Sequence, residues 1–157
     1  MGQNAPKIPF YDDLDELLNS VSLDAVVIAS NADSHAQLIE KSISKGIKKI
    51  LCEKPLSMNL SHTKKIIDLA KKNNVSLIVN HMRRYSPLIQ KVKSFLNRDY
   101  IKDTSIGRPL SCVAYYDKGI YHCGTHIIDL LVYFFGKVVC VNAITSKVFT
   151  PEKGDII

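Results

Sequence analysis

A chain of 157 residues is long enough to bury one good core, or a domain and part of another, and too short for a large two-domain enzyme. Its 46% apolar and 23% charged residues are typical of a soluble globular protein, and no apolar run approaches the ~20 residues that span a bilayer, so a membrane protein is not expected. The net charge of +6 is spread over amphipathic segments such as Lys64-Lys65 and Lys71-Lys72, with no basic stripe interleaved with aromatics; this argues against nucleic acid and leaves a phosphate-bearing small molecule as a fitting partner.

The polar start, Met1-Gly2-Gln3-Asn4, has no basic or apolar stretch of the secretory kind, so a cytoplasmic location is expected. Leu14, Leu17, Leu18 and Val21 recur at helical spacing behind a cluster of acids, which predicts a short amphipathic helix with its acids at the positive end of the dipole. The apolar run Asp24 to Ala29 predicts a strand buried on both faces, ending in the polar stretch Ser30 to Ser34. A helix follows from His35 to Lys45, with Gly46 placed as its C-terminal glycine. Lys49 to Cys52 predicts a second strand, Ser61 to Lys72 a helix with Ile66, Ile67, Leu69 and Ala70 on one side, and Val75 to Val79 a third strand. This alternation predicts a parallel sheet with right-handed crossovers, a doubly wound α/β fold or part of one.

Beyond Tyr85-Ser86-Pro87 a helix through Leu96 is predicted, and residues 97–107 read as a polar link. Strands are predicted at Pro109 to Tyr116 and Val138 to Val141, with a helix from Thr125 to Phe135 stopped by Gly136 between them. Four scattered cysteines, Cys52, Cys112, Cys123 and Cys140, include no C-x-x-C pair, and three lie in apolar runs where a thiol packs as a small hydrophobe. A zinc or disulfide framework is therefore not expected.

Parallel sheets bind ligands beyond the carboxyl ends of their strands, which directs attention to Ser30-Asn31, Glu53-Lys54-Pro55 and Asn80-His81. In Glu53-Lys54-Pro55 the proline fixes the turn and holds the lysine in place, suiting it to donate to a reacting hydroxyl; the plain alternative is an exposed lysine in an ordinary loop. On a regular helix His122, His126 and Asp129 share one face at i, i+4 and i+7. His126 then serves as an acid or base oriented by Asp129 or His122, or the two histidines share a metal, or Thr125 caps the helix and the histidines are structural.

Several motifs taken together are more specific than any of these. Ser30-Asn31 with His35, Lys45-Gly46, Leu51-Cys52-Glu53-Lys54-Pro55-Leu56, Val79-Asn80-His81-Met82-Arg83-Arg84-Tyr85-Ser86-Pro87, Ile106-Gly107-Arg108-Pro109 and Gly124-Thr125-His126-Ile127-Ile128-Asp129 closely resemble, in order, the central part of the Gfo/Idh/MocA family of glucose-fructose oxidoreductases and inositol dehydrogenases. The resemblance implies a partial Rossmann-like parallel sheet lacking its first strands, over residues 1–103. The start of an α/β open-sheet domain for substrate or oligomerisation then follows over 104–157.

It also implies NAD or NADP as cofactor and a sugar, cyclitol or sugar nucleotide as substrate, with a homo-oligomer or a complementing chain as partner. In the family pattern Lys54 bridges nicotinamide ribose and substrate, and His126 takes the hydroxyl proton as hydride leaves the same carbon. Ser30, Asn31, His35, Glu53, His81 and Arg84 correspond to residues around the nicotinamide half of the cofactor, and His122 and Asp129 to the substrate side. No metal is implied. Two departures stand out. His122 occupies a position where many members have aspartate, and none of the seven glycines stands in a G-x-G-x-x-G turn that would hold a pyrophosphate. A noncatalytic remnant or a sugar-nucleotide-binding module is the alternative expectation.

Overall fold

The structure, a computed structural model, describes residues 8–96 and 109–144. They fall into two compact units, Met1–Ile78 and Val79–Ile157. The polar link expected over 97–107 lies outside the described residues.

In the first unit α1 (Leu14–Ser20) starts at Asp13, whose carboxylate accepts from the backbone N–H groups of Asp15 at 2.7 Å and Glu16 at 3.1 Å. These two donors have no partner inside the helix, so the cap satisfies them and draws the Asp13 carboxyl below its usual range. The helix buries none of its residues fully and is tied to α2 (His35–Ser44) by polar contacts, Lys41 to Asp15 at 2.6 Å and Lys45 to Asn19 at 2.8 Å.

The sheet has the order β1-β2-β3, from β1 (Val26–Ile28), β2 (Lys49–Glu53) and β3 (Ser76–Asn80). β1 and β2 are parallel, with Val26 opposite Ile50 and Ile28 opposite Cys52, as the alternation of elements predicts. One face is covered by α2 and α3 (Leu60–Lys72), and the core between them is Ile28, Ile39, Ile43, Ile47, Ile50, Cys52, Ile66 and Ala70. Each such isoleucine contributes roughly 1.5–3 kcal/mol by leaving water. Burial also pushes the Cys52 thiol up to about 11, so it is a packing group rather than a nucleophile. Ile67 lies outside this face, half-exposed, because the helical stripe turns past it after Ile66. On the opposite face of the sheet Val27 and Ile78 are largely exposed, so burial on both faces does not extend to these strands among the described residues.

α2 ends as Gly46 predicts. With φ +87°, Gly46 lets its own N–H reach the Ile43 carbonyl at 3.0 Å and that of Ile47 reach the Ser42 carbonyl at 3.1 Å, a Schellman closure that turns the chain into β2. α3 is capped by Asn59, whose Oδ1 accepts from the Ser61 N–H at 2.8 Å.

The second unit carries α4 (Pro87–Leu96), a π turn Ile120–Gly124 and α5 (Thr125–Phe135) closed by Gly136 at φ +92°. The strands expected at 109–116 and 138–141 do not form. Leu110 is 97% and Val139 99% exposed, and neither segment has a ladder partner among the described residues; without one an extended apolar run has nothing to pack or pair against. Cys112 and Cys140 are exposed for the same reason, against the expectation that they pack as hydrophobes.

Candidate functional site

In the first unit the register of β1 and β2 brings two polar loops side by side, because Ile28 and Cys52 are partners and the residues just after them leave the sheet together. From the first loop, Ser30 Oγ and Ser34 Oγ lie 2.7 Å apart, and the Ser34 hydroxyl contacts the Asn31 carbonyl at 2.8 Å, which shapes the 3-10 turn Ala32–Ser34. Ser30 and Asn31 face solvent. From the second loop come Glu53 and Lys54, both half-buried, followed by a cis Lys54–Pro55 peptide.

His35 joins the loops. Its ring is 1% exposed, with Nδ1 2.7 Å from the Pro55 carbonyl and Nε2 3.1 Å from the Ser30 carbonyl. Expected to line the cofactor, this side chain instead has both nitrogens aimed at backbone oxygens. Its reach is inward, between the loops.

The second unit gathers another set. The 3-10 turn Met82–Tyr85 after β3 presents His81 at its start and Arg84 within it, and α5 presents Asp129. Arg84 holds both oxygens of the buried Asp129 carboxylate as a fork, Nε donating to Oδ2 at 2.7 Å and Nη2 to Oδ1 at 2.5 Å. That bond to Asp129 pushes the guanidinium further above its ordinary range. The Arg84 guanidinium also stands 5.1 Å from the Tyr133 ring centroid, Gln90 donates to its main-chain carbonyl, and His81 Nδ1 lies 3.6 Å from Asp129 Oδ1. Asp129, expected on the substrate side, is thus a carboxylate committed to Arg84 and placed to orient it.

The histidine face departs from the regular-helix expectation. His122 sits in the π turn, where the wider coil takes it out of i, i+4 register with His126, and it is exposed while His126, one turn before Asp129, is half-buried. Nor does Thr125 cap α5. Its hydroxyl donates back to the carbonyls of Tyr121 at 3.3 Å and His122 at 3.2 Å, because the helix runs on from the π turn instead of beginning at Thr125. Gly124 makes room in that turn: a Cβ there would stand 2.9 Å from the Tyr116 ring. Among the described residues no three His, Cys, Asp or Glu side chains gather as a metal site.

The nicotinamide half of a dinucleotide is the part these residues fit. Exposed hydroxyl and amide groups at the end of β1, beside the carboxylate and ammonium at the end of β2, suit a ribose and a carboxamide. Pyrophosphate needs a cradle of backbone N–H groups at a glycine turn, and the sequence contains no such turn.

The family model described as "Oxidoreductase family, NAD-binding Rossmann fold" matches residues 3–81, half of the chain, and the match includes both loops of the first unit. D-apiose dehydrogenase of Paraburkholderia graminis is 28% identical over 92% of this chain and 42% of its own length. Myo-inositol 2-dehydrogenase of Thermotoga maritima is 32% identical over 63% of this chain and 28% of its own length. The chain therefore spans less than half the length of the curated relatives it matches. The solved structure of GenD2 from gentamicin A biosynthesis, in complex with NAD, matches with a TM-score of 0.66 at 19% identity over 80% of this chain and 40% of that one, a likeness of fold. Among the described residues no helix is long and apolar enough to cross a membrane.

Proposed function

Because the chain belongs to the Gfo/Idh/MocA oxidoreductase family, with its NAD-binding Rossmann fold, we propose that it serves an NAD- or NADP-dependent oxidation or reduction at a secondary hydroxyl of a sugar, cyclitol or sugar nucleotide. The observation that carries this reading is the pair of loops in the first unit: Ser30-Asn31 and Glu53-Lys54 at adjacent strand ends, inside the stretch matched by the family model. The names of two relatives, dehydrogenases of D-apiose and of myo-inositol, support the substrate class.

The residues divide the work by chemistry. When bound, the nicotinamide supplies the carbon that exchanges hydride with the substrate. Lys54 donates to the ribose and to the reacting hydroxyl, and it acts in ground and transition states alike. Ser30, Asn31 and Glu53 hold the nicotinamide ribose and carboxamide. His126 takes the hydroxyl proton, a task that suits an imidazole because its ordinary pKa lies near neutrality. His81 and Arg84 line the same cofactor half, with Arg84 held in orientation by Asp129, and the exposed His122 contacts the substrate. Residues 1–103 are assigned to the dinucleotide and 104–157 to substrate and assembly, in the cytoplasm.

The test is steady-state kinetics on the full protein with NAD and NADP against a panel of inositols, aldoses and sugar nucleotides, followed by the nicotinamide absorbance. Turnover of at least one such alcohol that His126→Ala reduces by roughly 10² supports the assignment. Undiminished turnover in His126→Ala, or turnover that depends on a chelatable metal, removes His126 as the proton acceptor.

A further inference from the structure

Outside the residues assigned to hydride and proton transfer, His35 is a buried polar group with both ring nitrogens occupied, and each by a different loop. The ring is 1% exposed, it begins α2, and it stands between the Ser30 carbonyl at 3.1 Å and the Pro55 carbonyl at 2.7 Å. Ser30 and Pro55 are 25 residues apart in sequence, on the loops after β1 and β2 respectively. Pro55 directly follows Lys54, so its carbonyl is two backbone bonds beyond the peptide that leaves the lysine.

A buried carbonyl without a donor costs about 1–3 kcal/mol; a neutral imidazole carries one N–H and donates to one of the two carbonyls, and with a proton on each nitrogen the ring donates to both loops at once. Neither nitrogen is left to reach a ligand. The body of the ring cannot shift without breaking a contact to one loop or the other, since α2 is fixed from behind by the fully buried Ile39 and Ser42.

We propose that His35 is a positioning residue that clamps the Lys54-Pro55 loop to the Ser30-Asn31 loop and so sets where the Lys54 ammonium stands, without itself touching cofactor or substrate. This rests on the oxidoreductase reading above, in which Lys54 is catalytic. A misplacement of about 1 Å in a catalytic group can cost on the order of 10²-fold in rate, so loss of the clamp is felt through Lys54.

The experiment is a double-mutant cycle on the full protein, with His35→Leu and the amide-bearing His35→Gln each made alone and together with Lys54→Ala. His35→Leu is expected to lower kcat by roughly 10-fold to 10²-fold with a smaller change in the dinucleotide KM. In the Lys54→Ala background the same substitution should cost less than about threefold, the non-additivity of residues that act as one unit. His35→Gln, which keeps N–H donors, should restore part of the rate. Additive effects would overturn the proposal, as would a loss confined to dinucleotide KM.

A second measurement needs no activity. Carbonyl 13C shifts of Ser30 and Pro55 and the Lys54 amide are compared by NMR in the wild-type chain, His35→Gln and His35→Leu. All three resonances should move in His35→Leu, and an unmoved Lys54 amide beside shifted carbonyls would overturn the coupling. If the wild-type protein turns over no alcohol, the oxidoreductase reading falls, and the NMR comparison still decides whether His35 holds the lysine loop.

Discussion

In the first unit the polar groups at the strand ends are held by backbone: parallel strands in register deliver the two loops, and one buried imidazole spans their carbonyls over an isoleucine core. In the second unit the polar groups are held by one another, through the Arg84 fork on Asp129 and the Tyr133 ring, both side chains of α5. A site made from main-chain register tolerates the exchange of a surface side chain. One made from a side-chain pair fails when either partner is lost.

The contrast in chemistry is tested by the two proposed catalytic residues. His126→Ala should lower kcat by roughly 10² or more and leave dinucleotide affinity nearly intact, whereas Lys54→Ala should lower kcat and weaken cofactor or substrate binding as well. Steady-state kinetics with a cofactor titration on both variants checks it; the same profile for both would erase the distinction.

The contrast in stability is next in size. Ile39→Ala, at a fully buried position between α2 and the sheet, should cost about 2–5 kcal/mol in denaturant unfolding, while Val27→Ala, on the exposed face, should cost less than about 1 kcal/mol. Asp129→Ala removes the partner of a half-exposed Arg84, so its cost should fall below the ~3–5 kcal/mol of a fully buried broken pair, at about 2 kcal/mol. Arg84→Ala on top of it should add little, and simple additivity would show that the pair is not a unit.

Much of the first unit was legible because its signals are local. Apolar runs of strand length and a helix-stopping Gly46 each state their conformation in a few residues, whereas the cis Lys54–Pro55 peptide has no such local signal. The second unit was less legible, since strands at 109–116 and 138–141 need partners that their own sequence does not specify. The π turn likewise sets Gly124 close against the Tyr116 ring, an approach that spacing does not show. His81, Arg84 and Asp129 were singled out, but their mutual pairing was not, because a contact across 45 residues leaves no periodic trace. For His35 the residue was found and its inward direction was missed.

Two smaller effects concern the helix caps of the first unit. Asn59→Ala removes the acceptor of the Ser61 N–H and should cost about 1 kcal/mol in thermal unfolding. At Asp13 the folded carboxyl lies below its usual range, chiefly through the Glu16 N–H and then that of Asp15. The contribution of this cap is therefore complete above the ordinary carboxylate range and is lost as pH falls through the depressed value. Asp13→Asn should keep the cap and flatten that part of the acid unfolding curve; an unchanged curve would show that other carboxylates set it.

The most direct test of the central claim, that these loops hold the nicotinamide half of a dinucleotide, is a fluorescence titration of the 157-residue chain with NADH and with its half-molecule, reduced nicotinamide mononucleotide. Both should bind weakly, with affinities within about tenfold of each other because no glycine turn adds a pyrophosphate contact, and both should bind more weakly still in Lys54→Ala. Submicromolar NADH binding that Lys54→Ala leaves unchanged would contradict the claim.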